Sequence, residues 1–400
     1  MRIFIKTLGC RSNRYESEKL IDQLASRSHS IVADPEDADV VIVNTCTVTH
    51  VADRKSRQEI YPYLDKKVIV FGCGPRVSEN AYQIDGVDLV AQDPAEILEF
   101  LGDGESGGID NVLVTRSNLK IQDGCENYCT YCVIPFARGK CESKPYDEVL
   151  YDASRLIIGG SKELVLTGIN IGEWQDNGMD FWDLMLILLA ELPARIRISS
   201  LEPFVFDERV AEVLSHPNFC RHLHICAQSG CDSVLKRMGR NYSTSDFKKL
   251  IADIRDASPD IAVTTDIITG FPGETDVEHK QTLDLLSDIN FAKIHTFRYS
   301  KRDGTPAAKA KNQIPYVIKV ERSREIRDLS DKMRGSYKEK FVGSTQSVLF
   351  EHQKDDVWVG TTDNYLQVEV VSKSKLRYEL KNVRLGMLKS SGRFKGRILG

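Results

Sequence analysis

The sequence predicts an α/β protein in three parts: an N-terminal parallel α/β domain over 1–105, a central (β/α) partial barrel over 112–338, and a small antiparallel β-barrel over 342–400. Three observations lead there. Short β-branched runs alternate with helical periodicity through the first hundred residues, the pattern of a parallel sheet covered by helices. The alternation resumes beyond GDGESGGID at 102–110, a Gly- and Asp-rich stretch that reads as a linker. From Val342 the texture changes to short alternating strands without a convincing helix.

The elements follow in order. RIFIKTLG (2–9), DVVIVNTC (39–46) and KVIVFGC (67–73) are candidate buried strands, separated by the charged, periodic SNRYESEKLIDQLASR and HVADRKSRQEIYPYL. In the second part, NLKIQ, KELVLTG, RIRISS, RHLHICA, IAVTTDIIT and FAKIHTFRYS are candidate strands, with helices such as YDEVLYDASRLIIG between them. Six such βα-type units predict a partial or complete barrel whose site lies at the C-terminal ends of its strands. DFWDLMLILLAEL is apolar at helical spacing and reads as core. A long charged helix, VIKVERSREIRDLSDKMRGSYKEKF, leads into TQSVLFE, DVWVGTT and YLQVEVV.

No apolar run approaches the ~18 residues of a membrane span, and MRIFIKTLGC is too short an apolar stretch for a signal peptide, so a cytoplasmic location is expected. Thiols stay reduced there, and clustered cysteines point to metal or catalysis. The net charge of −4 hides an asymmetry: residues 301–400 carry 22 Lys+Arg against 12 Asp+Glu. Lys373–Gly400 alone has nine basic residues and one acidic. Such a segment suggests a polyanion partner, nucleic acid first; a solubilising tail is the other reading.

Cys125, Cys129 and Cys132 stand at C-x3-C-x2-C directly after the first barrel strand. Soft thiolates favour iron–sulfur clusters, zinc or copper(I), and a cluster normally takes four cysteines. The next, Cys141, is nine residues on, beyond a Pro and a Gly. Three ligands with an open position mark a reactive metal rather than a structural one. A zinc knuckle completed by histidine and a redox-active Cys129–Cys132 pair remain alternatives, although no histidine lies between Cys73 and Val149. A second trio, Cys10, Cys46 and Cys73, comes just past three N-terminal strands, and strand C-termini share one edge of a parallel sheet. Buried structural cysteine is the alternative there.

The C-x3-C-x2-C spacing with Tyr131 before its last cysteine resembles the radical S-adenosylmethionine (SAM) superfamily. That resemblance implies a [4Fe-4S] cluster on Cys125, Cys129 and Cys132, with SAM supplying the missing ligand. With both trios in view the whole chain resembles the radical SAM methylthiotransferases. TLGCRSNRYESE, VNTCTVTHVADRKSRQ, GCENYCTYCVIPFARGK, LTGINIGEW, SSLEP, TDIITGFPGET, YSKRDGTPAA and the TRAM-like TTDNYLQVEV stand in family order. VNTCTVTHVADRKSRQ and SSLEP look most like the threonylcarbamoyladenosine branch. KCESKP, GCGPRV and RMGRNY depart from the usual family pattern.

The resemblance implies two [4Fe-4S] clusters, the second on Cys10, Cys46 and Cys73, a radical SAM barrel, and a C-terminal RNA-binding TRAM domain. The expected activity is addition of a methylthio group to C2 of N6-threonylcarbamoyladenosine at position 37 of tRNA. SAM would serve twice, as methyl donor to sulfur and as source of the radical that removes the C2 hydrogen. The expected partners are the tRNA anticodon stem-loop and an electron donor such as flavodoxin or ferredoxin.

SAM also needs holding groups at strand ends. Gly168 and Gly270 lie in Gly-rich turns, Ser200 and Gln228 can hydrogen-bond, and Tyr131, just before the last cysteine, is counted with them through the resemblance. Glu274 reads either as part of this site or as a cap of the following helix. Cys141, Cys220, Cys226 and Cys231 read as ordinary thiols, and His222, His224 and Cys226 as one face of a strand turned into the barrel. Rival functions are methylthiolation of isopentenyladenosine tRNA or of a ribosomal protein, and a non-enzymatic tRNA-binding module structured by metal.

Overall fold

The computed structural model describes residues 1–104 and 115–399; most of the expected linker lies outside them. At the N-terminus a five-stranded parallel sheet runs, in spatial order, Ser30–Ile31, Arg2–Thr7, Val40–Thr45, Lys67–Gly72, Leu89–Val90. Alternation along the central strand divides its side chains between two cores. Val40 and Ile42 pack with Ile3, Leu20 and Phe71, while Val41 and Val43 pack with Ile60, Val70 and Tyr82. Both edge strands are two residues long, too short to show a periodicity, and the sequence reading missed them.

Six parallel strands form the central part: Arg116–Lys120, Glu163–Thr167, Arg195–Ile198, His222–His224, Ala262–Thr269 and Lys293–Arg298. They pair in two groups of three, joined through the single bridges Ile196↔Phe219 and Leu201↔Ile225. Spatial order therefore follows chain order, and no pairing joins the first and last strands among the described residues. The barrel is partial. Its strands bury Leu164, Leu166, Ile196, Ile198 and Val263 with helix residues such as Val149, Met185, Leu188 and Phe247.

The helix Tyr316–Glu339 lies along the last strand, where Ser330 Oγ bonds the backbone of Ile294. It leads into a closed five-stranded barrel ordered 345–354, 357–362, 367–371, 394–398, 380–388 around Val348, Phe350, Trp358, Val383 and Phe394. This barrel sits under the N-terminal ends of the central strands. Arg116 reaches Glu351, Arg195 donates to the Ser347 carbonyl, and Arg221 pairs with Asp363 at 2.6 Å. Tyr365 enters the mouth between them, its ring 4.7 Å from His222 and 4.4 Å from the Arg197 guanidinium.

The N-terminal domain closes the open side. It meets the loop after the first barrel strand through Glu16 and Asn13, and the loop after the last through Thr47–Arg302 and the His50 N–H to Ser300.

Two cysteine triads across a domain junction

Each N-terminal cysteine begins where a strand ends. Cys10 caps the helix Arg11–Ser26, Cys46 follows Thr45, and Cys73 opens a five-residue helix. Their meeting point is Asn13, fully buried one turn into the first helix. Its Oδ1 lies 3.5 Å from Cys10 Sγ and 3.7 Å from Cys73 Sγ. Its amide nitrogen donates to the carbonyls of Leu8 and Thr45 and to Asn44 Oδ1, which ties the first two of these strand ends together. Gly9, at φ +97°, lets Cys46 in: a Cβ there would stand 2.7 Å from Cys46 Cβ and 3.0 Å from its sulfur.

Burial raises the Cys46 thiol, and raises that of Cys73 to about 11. Three soft donors from three loops, two of them buried, fit a metal–sulfur group, whose binding displaces the thiol protons.

The second triad lies on a loop fixed at both ends. The Cys125 N–H donates to the Gly139 carbonyl, and Gly124 (φ +69°) has no room for a Cβ, which would lie 1.7 Å from the Lys140 carbonyl oxygen. Thr130 is pinned twice, N–H to Met238 and hydroxyl to Arg237. Burial raises the Cys125 thiol and pushes that of Cys132 up to about 12. Cys129 faces a cation instead: Arg240 Nη1 donates to its sulfur at 3.3 Å, while the same guanidinium contacts Glu202. A positive charge against one sulfur suits an anionic ligand set. This donor set too fits an iron–sulfur group.

Arg138, in the short helix after the second triad, links the two. Its side chain is fully buried. It donates to Asn13 Oδ1 at 2.7 Å, to Glu16 Oε1 at 2.7 Å and to Asp123 Oδ1 at 3.1 Å. One guanidinium thus holds the residue at the focus of the first triad and the strand end that precedes the second. Sequence reasoning passed over Arg138 and Arg240; both stood inside quoted motifs, FARGK and RMGRNY, but nothing local names their partners.

The strand-end residues expected to hold SAM lie along the rim that carries the second triad. Tyr131 packs with Cys231, Met238, Phe271 and Tyr299. Gly168 abuts Gln122, whose Oε1 accepts from the Ile169 and Asn170 N–H groups. Gln228 has φ +60° and exchanges backbone hydrogen bonds with Asp266 and Ile268. Ser200 is exposed and lines the lumen. Gly270, at φ +68°, donates its N–H to Glu274 at 2.7 Å. Glu274 does not cap the following helix, as one reading allowed. Thr275 does, and the buried Glu274 carboxylate pairs with Arg322 at 2.7 Å.

Within the lumen His224, Cys226 and Asp266 come within 4.8 Å of one another. Both ring nitrogens of His224 are engaged, Nδ1 with Thr264 at 2.9 Å and Nε2 with Asp266 at 3.2 Å, so the group is a satisfied polar pair. His222 lines the same lumen, its Nε2 3.4 Å from the Thr264 hydroxyl and its ring 4.7 Å from that of Tyr365.

Comparison with known proteins agrees with this architecture. Residues 2–91 match the model described as uncharacterized protein family UPF0004, and residues 119–286 that of the radical SAM superfamily. The threonylcarbamoyladenosine tRNA methylthiotransferase MtaB of Bacillus subtilis is 36% identical over 90% of this chain and 88% of its own. That of Thermotoga maritima is 34% identical over 92% and 91%. A tRNA-2-methylthio-N(6)-dimethylallyladenosine synthase from Geobacillus kaustophilus is 31% identical over 97% and 81%. Among solved structures, the radical SAM methyltransferase TsrM from Kitasatospora setae shares the fold, with TM-score 0.57 and 14% identity over 77% of each chain. Identity above 30% across nearly the whole length shows that the chain belongs to the radical SAM tRNA methylthiotransferases, in the threonylcarbamoyladenosine (MtaB-type) branch.

Proposed function

We propose that this chain transfers a methylthio group to C2 of N6-threonylcarbamoyladenosine at position 37 of tRNA. The observation that carries the reading is the pair of three-thiol sites, each able to leave a coordination position open, joined through one buried arginine. Two such sites at one junction suit a reaction that must both remove a hydrogen and deliver sulfur. A structural metal site would be closed by a fourth protein ligand.

Cys125, Cys129 and Cys132 would hold the cluster that binds SAM, and Cys10, Cys46 and Cys73 the auxiliary one. When bound, these groups and SAM supply radical chemistry at an unactivated C–H bond and the sulfur and methyl to be transferred. The protein's part is position and polarity. Arg138 and Asn13 hold the register between the two sites, and Arg240 sets positive charge against Cys129. Tyr131, Gly168, Ser200, Gln228 and Gly270 would hold SAM along the strand-end rim. The N-terminal domain covers the open side of the barrel.

Residues 342–400 would grip the tRNA backbone. Arg384 stands directly opposite Arg397 on paired strands, a like-charge arrangement that costs stability unless an anion bridges it. Lys373, Lys375 and Lys395 are exposed on the same barrel. The anticodon stem-loop as the segment gripped, flavodoxin or ferredoxin as electron donor, and the cytoplasm as location complete the proposal. No described helix is long and apolar enough to cross a membrane. The test is mass analysis of tRNA nucleosides from cells with and without the gene. Loss of the 2-methylthio form of threonylcarbamoyladenosine is expected; an unchanged nucleoside profile would remove the assignment.

A further inference from the structure

The partial barrel encloses a cavity of about 530 Å³ that reaches from the strand ends to the mouth where Tyr365 enters. That volume lies within the range of small-ligand sites, roughly 300–1,000 Å³. Its lining is cationic: Arg11, Lys293, Arg334 and Lys338 face it with three histidines, against Asp266 as its one carboxylate. Asp266 is already committed to His224.

Arg334 pairs with Asp331 and Lys338 donates to the Gly392 carbonyl, which leaves Lys293 and Arg11 as the cations free to meet a ligand. Lys293 has no carboxylate within ion-pair distance among the described residues, and Arg11 hydrogen-bonds the Tyr365 hydroxyl at 3.0 Å. His222 keeps a buried Nδ1 without a partner. Burial first, and then the Lys293 charge, hold the His295 imidazole below its ordinary value, as expected where positive potential accumulates. Arg11 also follows Cys10 directly, so one cation of the lining is next in the chain to a residue of the first triad.

We propose that this cavity receives the acidic N6 substituent of the target adenosine, with Lys293 and Arg11 supplying the charge its carboxylate requires. The inference rests on the function proposed above and names what reads its substrate. Adenine presents C2 and its N6 group along one edge, so a base placed with C2 toward the two triads carries its N6 substituent alongside. A threonylcarbamoyl group ends in a carboxylate and a hydroxyl, and burying an unpaired carboxylate is costly. A dimethylallyl group is hydrocarbon and has no use for unpaired cations. An RNA backbone phosphate could seek the same charges, and the experiment separates the two sources.

The test uses the full chain and anticodon stem-loops identical except at position 37, which carries threonylcarbamoyladenosine, its neutral methyl ester, or adenosine. Wild-type protein should bind the acid about ten- to a hundredfold more tightly than the ester, the span of one charge-assisted hydrogen bond. Lys293→Gln should erase that preference and leave affinity for the adenosine loop unchanged, and Lys293→Arg should retain it. Equal weakening toward all three loops would assign Lys293 to backbone phosphate and overturn the proposal. So would an acid-over-ester preference that survives Lys293→Gln, or no preference in the wild type. Product analysis keeps the two readings apart. Wild-type enzyme that methylthiolates only dimethylallyladenosine loops defeats the function, whereas correct product with an indifferent Lys293 defeats only the cavity assignment.

Discussion

Replacing Arg138 by Met tests whether the junction is held by one buried cation. The change keeps an unbranched apolar stem and removes hydrogen bonds to Asn13, Glu16 and Asp123. Taking one partner from a buried ion pair costs about 3–5 kcal/mol, because the remaining charge is stranded. Here Lys120 stands 3.6 Å from Glu16 and 2.5 Å from Asp123 and keeps part of the compensation. The lower end, about 3 kcal/mol, is therefore expected, or roughly a hundredfold more frequent opening of the junction. Hydrogen exchange of the helix Arg11–Ser26 in metal-free protein reads this directly. In the reconstituted enzyme, loss of register between the sites should lower methylthio transfer about a hundredfold, because a 1 Å misplacement costs that much. Reductive cleavage of SAM should persist. Unchanged protection of that helix would refute the bridging role, as would transfer and cleavage falling in proportion.

Four further outcomes are expected. Anaerobically reconstituted protein should hold about eight iron atoms; replacing Cys125, Cys129 and Cys132 by Ala should halve the iron and abolish SAM cleavage. Replacing Cys10, Cys46 and Cys73 should spare cleavage and end methylthio transfer, and product formed by that triple variant would show those thiols to be structural only. Neutralising Lys373, Lys375, Arg384 and Arg397 with Gln should weaken tRNA binding and make its salt dependence shallower by up to about three units of slope. An unchanged slope would mark the segment as solvated surface. These substitutions are cleaner than deleting residues 342–400, which would also uncover Arg116, Arg195 and Arg221. Lastly, burial would raise the Glu163 carboxylate, but Arg197 and Arg116 hold it at about 2 against an ordinary 4.5. Its contribution to stability, on the order of 3 kcal/mol, is thus complete above pH 4.5 and lost as pH falls toward 2. Glu163→Gln should flatten that acid limb of the unfolding curve.

Much of the molecule was written locally. VVIVNT, KVIVFG and AVTTDIIT declare buried parallel strands because β-branched runs of that length suit a sheet covered on both faces. Cys125, Cys129 and Cys132 are legible because their spacing alone confines three sulfurs to one loop. The first triad needed one more step, that parallel strands end along a shared edge, and strand ends could be placed from composition. What stayed hidden depends on side chains far apart in sequence. Arg138 finds Asn13 across 125 positions and Arg240 finds Cys129 across 111, and no periodicity encodes such a pairing. Lys293, Arg11 and Tyr365 come from three domains, and the sequence reading had counted the last two only as parts of motifs. Their cavity exists because the barrel is left open between its first and last strands while separate domains cover its side and its base. A chain's own pattern sets which face of each element is buried; which polar groups then confront one another is decided by how the finished domains dock.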